Sequence, residues 1–293
     1  MYKEIDSNKH KSILLIIIFC AFILFIGWIV SKYTSIGSAG LVIAGFFAFF
    51  TTLFGYYSGD KMALWSSGAQ PLSKTESPYV YRMVENLCIT AGLPTPKIYI
   101  INDPSPNAFA TGRDPNHASI ALTTGIIQKL ENQELEGVIA HELSHVKNYD
   151  IRLMTLVIVL VGLINILARL VFQTGFSGNR DRGDRDNGNS IFLIVGIVLI
   201  VLSPIIAQLI KLAVSRKREY LADASGALLT RYPEGLASAL EKISQDKQPL
   251  KRAEAATAHL YIANPFGQNS LMANLFSTHP PIQKRIEALR KME

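Results

Sequence analysis

The chain has 293 residues, of which 49% are hydrophobic and 18% are charged, and 29 Lys and Arg against 23 Asp and Glu give it a formal net charge of +6. A soluble domain carries about 25% charged residues, so the composition excludes one soluble globule, and it also excludes disorder and a fibrous repeat. The basic residues lie beside apolar blocks, which favours membrane topology over nucleic-acid binding. Cys20 and Cys88 cannot form a disulfide framework, so nothing indicates an oxidising compartment.

Four apolar blocks, at residues 13–30, 36–57, 153–172 and 191–210, predict membrane spans. The first is uncharged and, at 1.5 Å per residue, covers about 27 Å of the ~30 Å hydrocarbon core. Buried core helices are the alternative, which is strongest for the third block because Arg169 interrupts it. A cleaved signal peptide is the other interpretation of the first block. Its apolar region is long and a second block follows closely, so we predict an uncleaved hairpin.

Basic residues predict the orientation of these spans. Lys and Arg precede the first block and follow the second and fourth blocks. The positive-inside rule therefore places the N-terminus and the segments 60–150 and 215–293 in the cytoplasm. The loop 175–190 is a mild contradiction, because it contains three arginines, although three aspartates accompany them. The sequence indicates no role for this loop.

The chain accordingly divides into an N-terminal membrane hairpin (1–59), a first soluble segment (60–150), a second membrane hairpin (151–214) and a second soluble segment (215–293). Because two spans separate the soluble segments, both emerge on the same face and can form one domain.

Hydrophobic periodicity predicts helices joined by a few short strands in the soluble segments, so the fold class is α with a small sheet. The predicted elements, in chain order, are a helix at Lys74–Ala91, strands at Lys97–Asn102, Ala108–Thr111 and Ser119–Thr123, and helices at Gly125–Leu130, Gln133–Lys147, Ser215–Thr230, Pro233–Asp246 and Ile282–Lys291.

The sequence His-Glu-Leu-Ser-His at residues 141–145 is an H-E-x-x-H motif inside a predicted helix. Two histidines four residues apart lie on the same face of a helix, so both imidazoles can bind one metal ion. Neutral imidazole suits Zn²⁺, which needs a third protein ligand and an open position for water, whose proton Glu142 can accept. A surface helix with a coincidental motif is the alternative, but apolar residues form a buried stripe beside the histidines.

The third ligand is expected downstream. The candidates are Asp150, Glu219, Asp223, His259 and His279. His145 and Glu219 each lie about 10–12 Å of helix from the predicted membrane edge, so packing of the third and fourth spans would bring them to the same height. The alternative for Glu219 is a solvated ion pair with a neighbouring arginine.

Several other polar residues have more than one interpretation. Asp223 and Asp150 can orient a ligating histidine through its second ring nitrogen, or form a plain salt bridge. His279 precedes two prolines and can stabilise an oxyanion, approach the metal or cap a helix. His259 and His117 are predicted to be ordinary surface residues.

This combination of motifs resembles the HtpX-type family of bacterial membrane-bound zinc metalloproteases and, more distantly, the CAAX prenyl proteases. The resemblance covers nearly the whole chain. It rests on the N-terminal hairpin, the 141–145 motif followed directly by an apolar block, Arg-Glu-Tyr-Leu-Ala-Asp at 218–223 and Ser-Thr-His-Pro-Pro at 277–281. It implies a mainly α integral membrane protein with four transmembrane helices and a cytoplasmic zincin-like α+β protease domain with a small sheet.

The resemblance also implies a set of metal ligands. One zinc ion per chain is expected to be bound by His141, His145 and Glu219, with Glu142 as the catalytic base. Asp223 and Arg285 are expected to support the ligands from behind.

Two further regions acquire roles through the resemblance. His279 is expected at the edge of the active site with a catalytic role, and Arg285 is its expected partner. Asn107, Ala108 and Phe109 resemble a substrate-binding edge strand, to which an extended peptide would add by backbone pairing.

The implied function is cleavage of misfolded or damaged membrane proteins at the cytoplasmic face of the plasma membrane, in quality control and the stress response. The expected partners are membrane-protein or unfolded polypeptide substrates and the lipid bilayer, and no nucleic acid. A CAAX-type processing protease is one alternative, disfavoured because only four spans are predicted. A zinc-binding membrane protein without hydrolysis is another, disfavoured by Glu142 and by the few polar residues within the spans. The sequence does not predict the oligomeric state.

Overall fold

The structure, a computed structural model, describes residues 2–33, 37–162, 216–254, 256–267 and 280–292. It begins with two long helices, α1 (Tyr2–Tyr33) and α2 (Ala39–Ser67). Both are long and apolar enough to cross a membrane, at Ile5–Trp28 and Ala39–Ser67. The first two predicted apolar blocks are therefore confirmed as candidate membrane helices.

The described start of the third apolar block packs against these two helices. Residues 150–162 are helical and their apolar side chains form one cluster with α1 and α2. Close approach depends on small residues, since a Cβ added to Gly59 would lie 2.7 Å from Thr155 Cγ2 and one added to Gly55 would lie 2.5 Å from Val159 Cγ1. The rest of the third block and the whole fourth block lie outside the described residues.

Apart from the first strand, the other elements follow in the order that periodicity predicts. They are β1 (Gln70–Pro71), α3 (Pro78–Ala91), β2 (Lys97–Ile101), β3 (Ala108–Gly112), β4 (Ala118–Thr123), α4 (Thr124–Lys129), α5 (Asn132–Lys147), α6 (Arg216–Thr230), α7 (Pro233–Gln245) and α8 (Ile282–Arg290). The strands form one mixed sheet in the order β1-β2-β4-β3, in which β2 and β4 are parallel and the other pairs are antiparallel. The described part of the chain is thus mainly helical with a small sheet.

The start of one helix and the presence of one strand differ from the prediction for identifiable reasons. Helix α3 begins at Pro78 instead of Lys74, because proline suits the first helical position and disfavours helical backbone in the residue before it. The helix ends at Ala91, as predicted, and the following Gly92, with a φ of 67°, closes the last turn through backbone bonds to the carbonyls of Cys88 and Ile89. Strand β1 was not predicted, because two residues carry no period.

Helix α5 lies at the centre of the domain and contacts β3, α6 and α7. Its apolar stripe is buried as predicted, at Leu135, Val138, Ile139 and Val146. At its start, the Glu134 carboxylate accepts a hydrogen bond from the backbone N–H of Glu131, which completes a capping box. A Cβ added to Gly137 would lie 2.7 Å from the backbone nitrogen of Leu236. Because α5 is enclosed on three sides, the positions of its polar side chains are fixed.

Candidate metal centre

Three side chains converge where α5 and α6 cross. His141, His145 and Glu219 are buried, and their ligand atoms all lie within 4.8 Å of one another. The two Nε2 atoms are 3.2 Å apart, and Glu219 oxygens lie 3.6 Å from His145 Nε2 and 3.9 Å from His141 Nε2. Zinc at its usual ligand distances in a tetrahedron places two ligand atoms about 3.3 Å apart. The three donors therefore have the spacing of one shared cation.

Each imidazole is held from behind by a carboxylate. His141 Nδ1 lies 2.9 Å from Asp223 Oδ1, and His145 Nδ1 lies 2.9 Å from Asp150 Oδ2. A carboxylate accepts only, so each Nδ1 carries the hydrogen and each Nε2 lone pair faces the centre. Two lone pairs that face each other across 3.2 Å require a metal ion or a shared proton between them.

A buried arginine contacts two of the carboxylates at this centre. Arg285 on α8 donates from Nε and Nη2 to the two oxygens of Asp223, at 2.9 and 2.7 Å. Its Nη1 also lies 3.6 Å from Glu219 Oε2. Although burial alone would raise the pKa of Asp223, Arg285 and His141 hold that pKa below its usual range. Asp223 is therefore ionised, as a hydrogen-bond acceptor for His141 must be.

The charge of the buried side chains also fits a divalent cation. Four buried carboxylates surround the centre, those of Glu142, Asp150, Glu219 and Asp223. The buried guanidinium groups beside them are those of Arg218 and Arg285. When all of these groups are ionised, two negative charges remain without a counter-charge among these six. Uncompensated buried charge is costly, and one divalent cation balances it.

Glu142 has the properties of a general base. Its carboxylate is buried and accepts a hydrogen bond from the backbone N–H of Ala110 on β3. Burial raises the pKa of Glu142 to about 7, and the neighbouring Glu219 carboxylate acts in the same direction while His145 opposes it. A group that takes up and releases a proton near neutral pH is suited to general acid–base catalysis.

The two histidines differ in proton affinity, which predicts a pH dependence of metal binding. Burial lowers the pKa of His141, and the Arg285 charge adds to this. Burial would also lower the pKa of His145, but the hydrogen bond to Asp150 and the carboxylate of Glu219 raise it to about 9. In the metal-free protein His145 is thus protonated at pH 7 to 8, and a binding metal must displace that proton.

We therefore expect the affinity for Zn²⁺ to fall about tenfold between pH 8 and pH 7, since each unit below the pKa of His145 costs a factor of ten. Competition with a chromophoric chelator measures this affinity, after correction for the chelator's own protonation in a protein-free titration. Equal affinities at the two pH values would contradict a protonated His145.

Gly226 allows α6 to approach α5 closely enough for Glu219 to reach the histidines. A Cβ added there would lie 3.0 Å from the backbone nitrogen of His141 and 3.2 Å from its Cα. Alanine normally favours a helix over glycine by about 1 kcal/mol, but here neither backbone can yield without separating the helices.

We expect Gly226→Ala to destabilise the protein by about 1–3 kcal/mol and to reduce bound metal. Thermal unfolding and elemental analysis measure the two effects. The control is Gly162→Ala, whose Cβ would meet, among the described residues, the flexible end of Met62 at 3.6 Å. Full metal content and parent stability in Gly226→Ala would show that the helices do have room.

Comparisons with known proteins agree with this geometry. The profile of "Peptidase family M48" matches residues 74–293. The chain belongs to peptidase family M48. A relative from Dictyoglomus turgidum named "Protease HtpX homolog" is 47% identical over 291 residues, which cover 99% of this chain and 94% of the relative. A relative of the same name from Tropheryma whipplei (strain Twist) is 44% identical over 293 residues, covering 100% of this chain and 98% of the relative.

The fold has a counterpart among solved structures. The crystal structure of S. mikatae Ste24p matches with a TM-score of 0.51 at 18% identity and covers 99% of this chain and 67% of that chain. At this identity the likeness concerns the fold alone. Together with the apolar helices α1 and α2, the family and the full-length relatives make this M48 chain a membrane-associated metalloprotease.

Among the five candidates for the third ligand, the structure of this M48 chain brings Glu219 to the histidine pair. Asp223 and Asp150 lie behind the two histidines instead. His259 was predicted to be a surface residue, and this is wrong. It is buried, with Nε2 3.1 Å from the backbone carbonyl of Met154, because the segment that carries it folds against the 150–162 helix. His117 is exposed, as predicted.

The predicted substrate strand lies at the edge of the sheet, and its outer side contacts the chain itself. The carbonyl of Ala108 accepts from the backbone N–H of Ile262 at 3.0 Å, and Asn107 Nδ2 donates to the carbonyl of Ala263 at 3.0 Å. Phe109 is fully buried. A peptide that pairs with the backbone at Ala108 must therefore replace Ile262.

Arg285 was expected behind the ligands together with Asp223, and it lies there, bound to Asp223. Its other expected partner, His279, lies outside the described residues. Asn8, which binds Asp150 at 2.7 Å, was missed. An uncharged polar residue on the first helix next to the apolar block was the only available signal.

Proposed function

We propose that this M48 chain is a zinc endopeptidase in which His141, His145 and Glu219 bind one zinc ion and Glu142 is the general base. The observation that carries the proposal is the convergence of three buried donors within 4.8 Å beside a carboxylate whose pKa is raised to about 7. Two histidines and one glutamate are a donor set that catalytic zinc sites use, and it leaves one position open.

The proposed mechanism divides the chemistry between the metal and the chain. Zinc, when bound, supplies the Lewis acidity that acidifies water and polarises a peptide carbonyl. Glu142 accepts the proton of the attacking water and delivers it to the leaving amine, which its pKa of about 7 permits in both directions. Asp223 and Asp150 fix the ring orientations of His141 and His145.

Zinc content and proteolysis of the purified full chain in detergent test this function. We expect one zinc ion per chain by elemental analysis and cleavage of a fluorescent unfolded protein, lost on dialysis against a chelator and restored by Zn²⁺. A protein that cleaves at the same rate after complete removal of metal would contradict the proposal.

For the membrane arrangement we propose four spans, with both termini and the two soluble segments in the cytoplasm and the chain in the plasma membrane. Support comes from the helices α1 and α2, from the apolar blocks 153–172 and 191–210, and from the flanking Lys and Arg. The proposed divisions remain the hairpins 1–59 and 151–214 and the protease halves 60–150 and 215–293.

Cysteine accessibility tests this topology. In a variant without Cys20 and Cys88, a cysteine at the exposed Thr75 should react with a membrane-impermeant reagent only after the cells are opened. A cysteine at Asn187 in the loop 175–190 should react in intact spheroplasts. The reverse pattern would place the active site on the opposite face.

As substrates we propose misfolded or damaged membrane proteins, cut in their cytoplasmic parts, within quality control and the stress response. The edge position of β3 supports the binding of an extended peptide at Asn107–Phe109 in place of Ile262, and His279 is proposed to border the scissile bond. Co-reconstitution with a membrane protein in folded and destabilised forms tests this, because only the destabilised form should be cleaved. Competition by prenylated peptides would instead support CAAX-type processing.

A further inference from the structure

A buried polar cluster connects α1 with the metal centre. We call it the Asn8 cluster, and it consists of Asn8, Asn148, Asp150 and Arg218. All four side chains are at most 4% exposed. Asn8 lies on the buried face of α1, which continues through Ser12, Leu15, Phe19 and Ile23. The cluster thus lies at the end of the surface through which α1 packs on the rest of the protein.

Every polar atom of the Asn8 amide has a partner. Nδ2 donates to Asp150 Oδ1 at 2.7 Å and to the backbone carbonyl of Asn148 at 2.9 Å, and Oδ1 accepts from Arg218 Nη1 at 3.1 Å. An amide with two donors and one acceptor fits these partners in one orientation only. The side chain is therefore fixed rather than merely buried.

The same contacts determine the orientation of Asp150. Oδ1 accepts from Asn8 and lies 3.5 Å from Arg218 Nη1, while Oδ2 faces His145 Nδ1 at 2.9 Å. Rotation of the carboxylate toward any other partner would break the bond to Asn8 or the bond to His145. Asn8 thus acts on the imidazole through one intermediate side chain.

The backbone around Asp150 indicates that its position matters. Tyr149, between α5 and the 150–162 helix, has a φ of 60°, a left-handed conformation that a non-glycine residue rarely adopts. The left-handed backbone at Tyr149 directs the chain so that Asp150 lies beside His145. Lys9, the neighbour of Asn8 on α1, lies over the Tyr149 ring at 4.9 Å. Helix α1 therefore contacts both Tyr149, through Lys9, and the carboxylate of Asp150, through Asn8.

We propose that Asn8 is a positioning residue of the metal centre, which holds Asp150 in the orientation that fixes the His145 ring. By this contact α1 belongs to the metal centre as well as to the membrane hairpin. A tilt or displacement of α1 changes the support of a metal ligand and so changes metal affinity. The inference rests on the proposed role of His145 as a zinc ligand.

The experiment compares equilibrium Zn²⁺ affinities of full-length variants in detergent by chelator competition. We expect Asp150→Asn to weaken binding 10- to 100-fold, as loss of a group behind a ligand does, and Asn8→Ala to weaken it roughly tenfold. The double variant should bind no more weakly than Asp150→Asn alone, because Asn8 acts through Asp150. Ser12→Ala is the matched control. It removes a buried hydroxyl on the same face of α1 that bonds only to the Asn8 backbone carbonyl, and it should keep the parent affinity.

Asn8→Asp decides the question if Asn8→Ala does not fold. It keeps the size of the side chain and an acceptor for Arg218, but replaces the donor to Asp150 by a repelling oxygen. In Co²⁺-substituted protein we expect the visible absorption bands of Asn8→Asp to differ from those of the parent, and those of Ser12→Ala to match it. A role limited to packing would not change the ligand field.

The outcomes separate the two proposals. A parent protein that binds no metal would overturn the proposed function and this inference with it. A parent that binds zinc, together with Asn8 variants of unchanged affinity and unchanged Co²⁺ bands, would overturn only the role of Asn8. Losses that multiply in the double variant would also overturn it, because they would show that Asn8 does not act through Asp150.

Discussion

Replacement of Glu142 by Gln is expected to lower the rate of peptide cleavage by about 10²- to 10⁴-fold while the zinc content stays at the level of the parent. The amide has nearly the same shape as the carboxylate but cannot accept the proton of water. Glu142 is not among the three clustered donors, so its charge is not needed to hold the ion. Initial rates with an unfolded substrate and elemental analysis of the same sample measure both quantities.

Glu136→Gln is the matched control for this change. It makes the same substitution on the same helix, beside the surface residue Tyr79 and away from the metal centre, and should leave the rate unchanged. Cleavage by Glu142→Gln at the rate of the parent would contradict the assignment of Glu142 as the general base. Loss of zinc from Glu142→Gln would show that the carboxylate helps to hold the ion.

Glu219→Ala is expected to remove the metal. Loss of a group behind a ligand weakens binding 10- to 100-fold, and loss of a ligand itself should exceed this. The change also removes a carboxylate beside the buried Arg285, so thermal unfolding must be recorded to separate metal loss from unfolding. Elemental analysis after gel filtration should find no zinc in a protein that still unfolds cooperatively.

Glu287→Ala provides the comparison, since Glu287 is an exposed glutamate on α8, the helix that carries Arg285. It should retain one zinc ion per chain. A Glu219→Ala variant that keeps its full zinc content would mean that another residue is the third ligand, and the proposed centre would have to be rebuilt around it.

Local patterns account for most of what could be predicted. The 3.6-residue period placed His141 and His145 on one face of α5, and the apolar stripe beside them is buried. Glu219 was favoured because it lies at the same distance from an apolar block as His145, a statement about helix length alone. Strands β2, β3 and β4 were recognisable within one residue at each end.

The remaining features depend on contacts between distant parts of the chain. Asp150 was weighed as a possible support of a histidine, but its partner Asn8 is 142 residues away, and no periodicity connects the two. The burial of His259 arises in the same way, from the 150–162 helix against which it packs. Arg285 and Asp223 were both expected behind the ligands through the resemblance, but the direct contact between them joins two helices and has no signal in the sequence pattern.

The placement of the three proposed zinc ligands on α5 and α6 has a consequence for the synthesis of the protein. A ribosome completes His141 and His145 well before it reaches Glu219, and the whole 151–214 segment is translated in between. A nascent chain therefore carries the histidine pair without its third donor. The proposed zinc centre is therefore incomplete until the segment 151–214 and α6 have been synthesised and α6 has docked on α5.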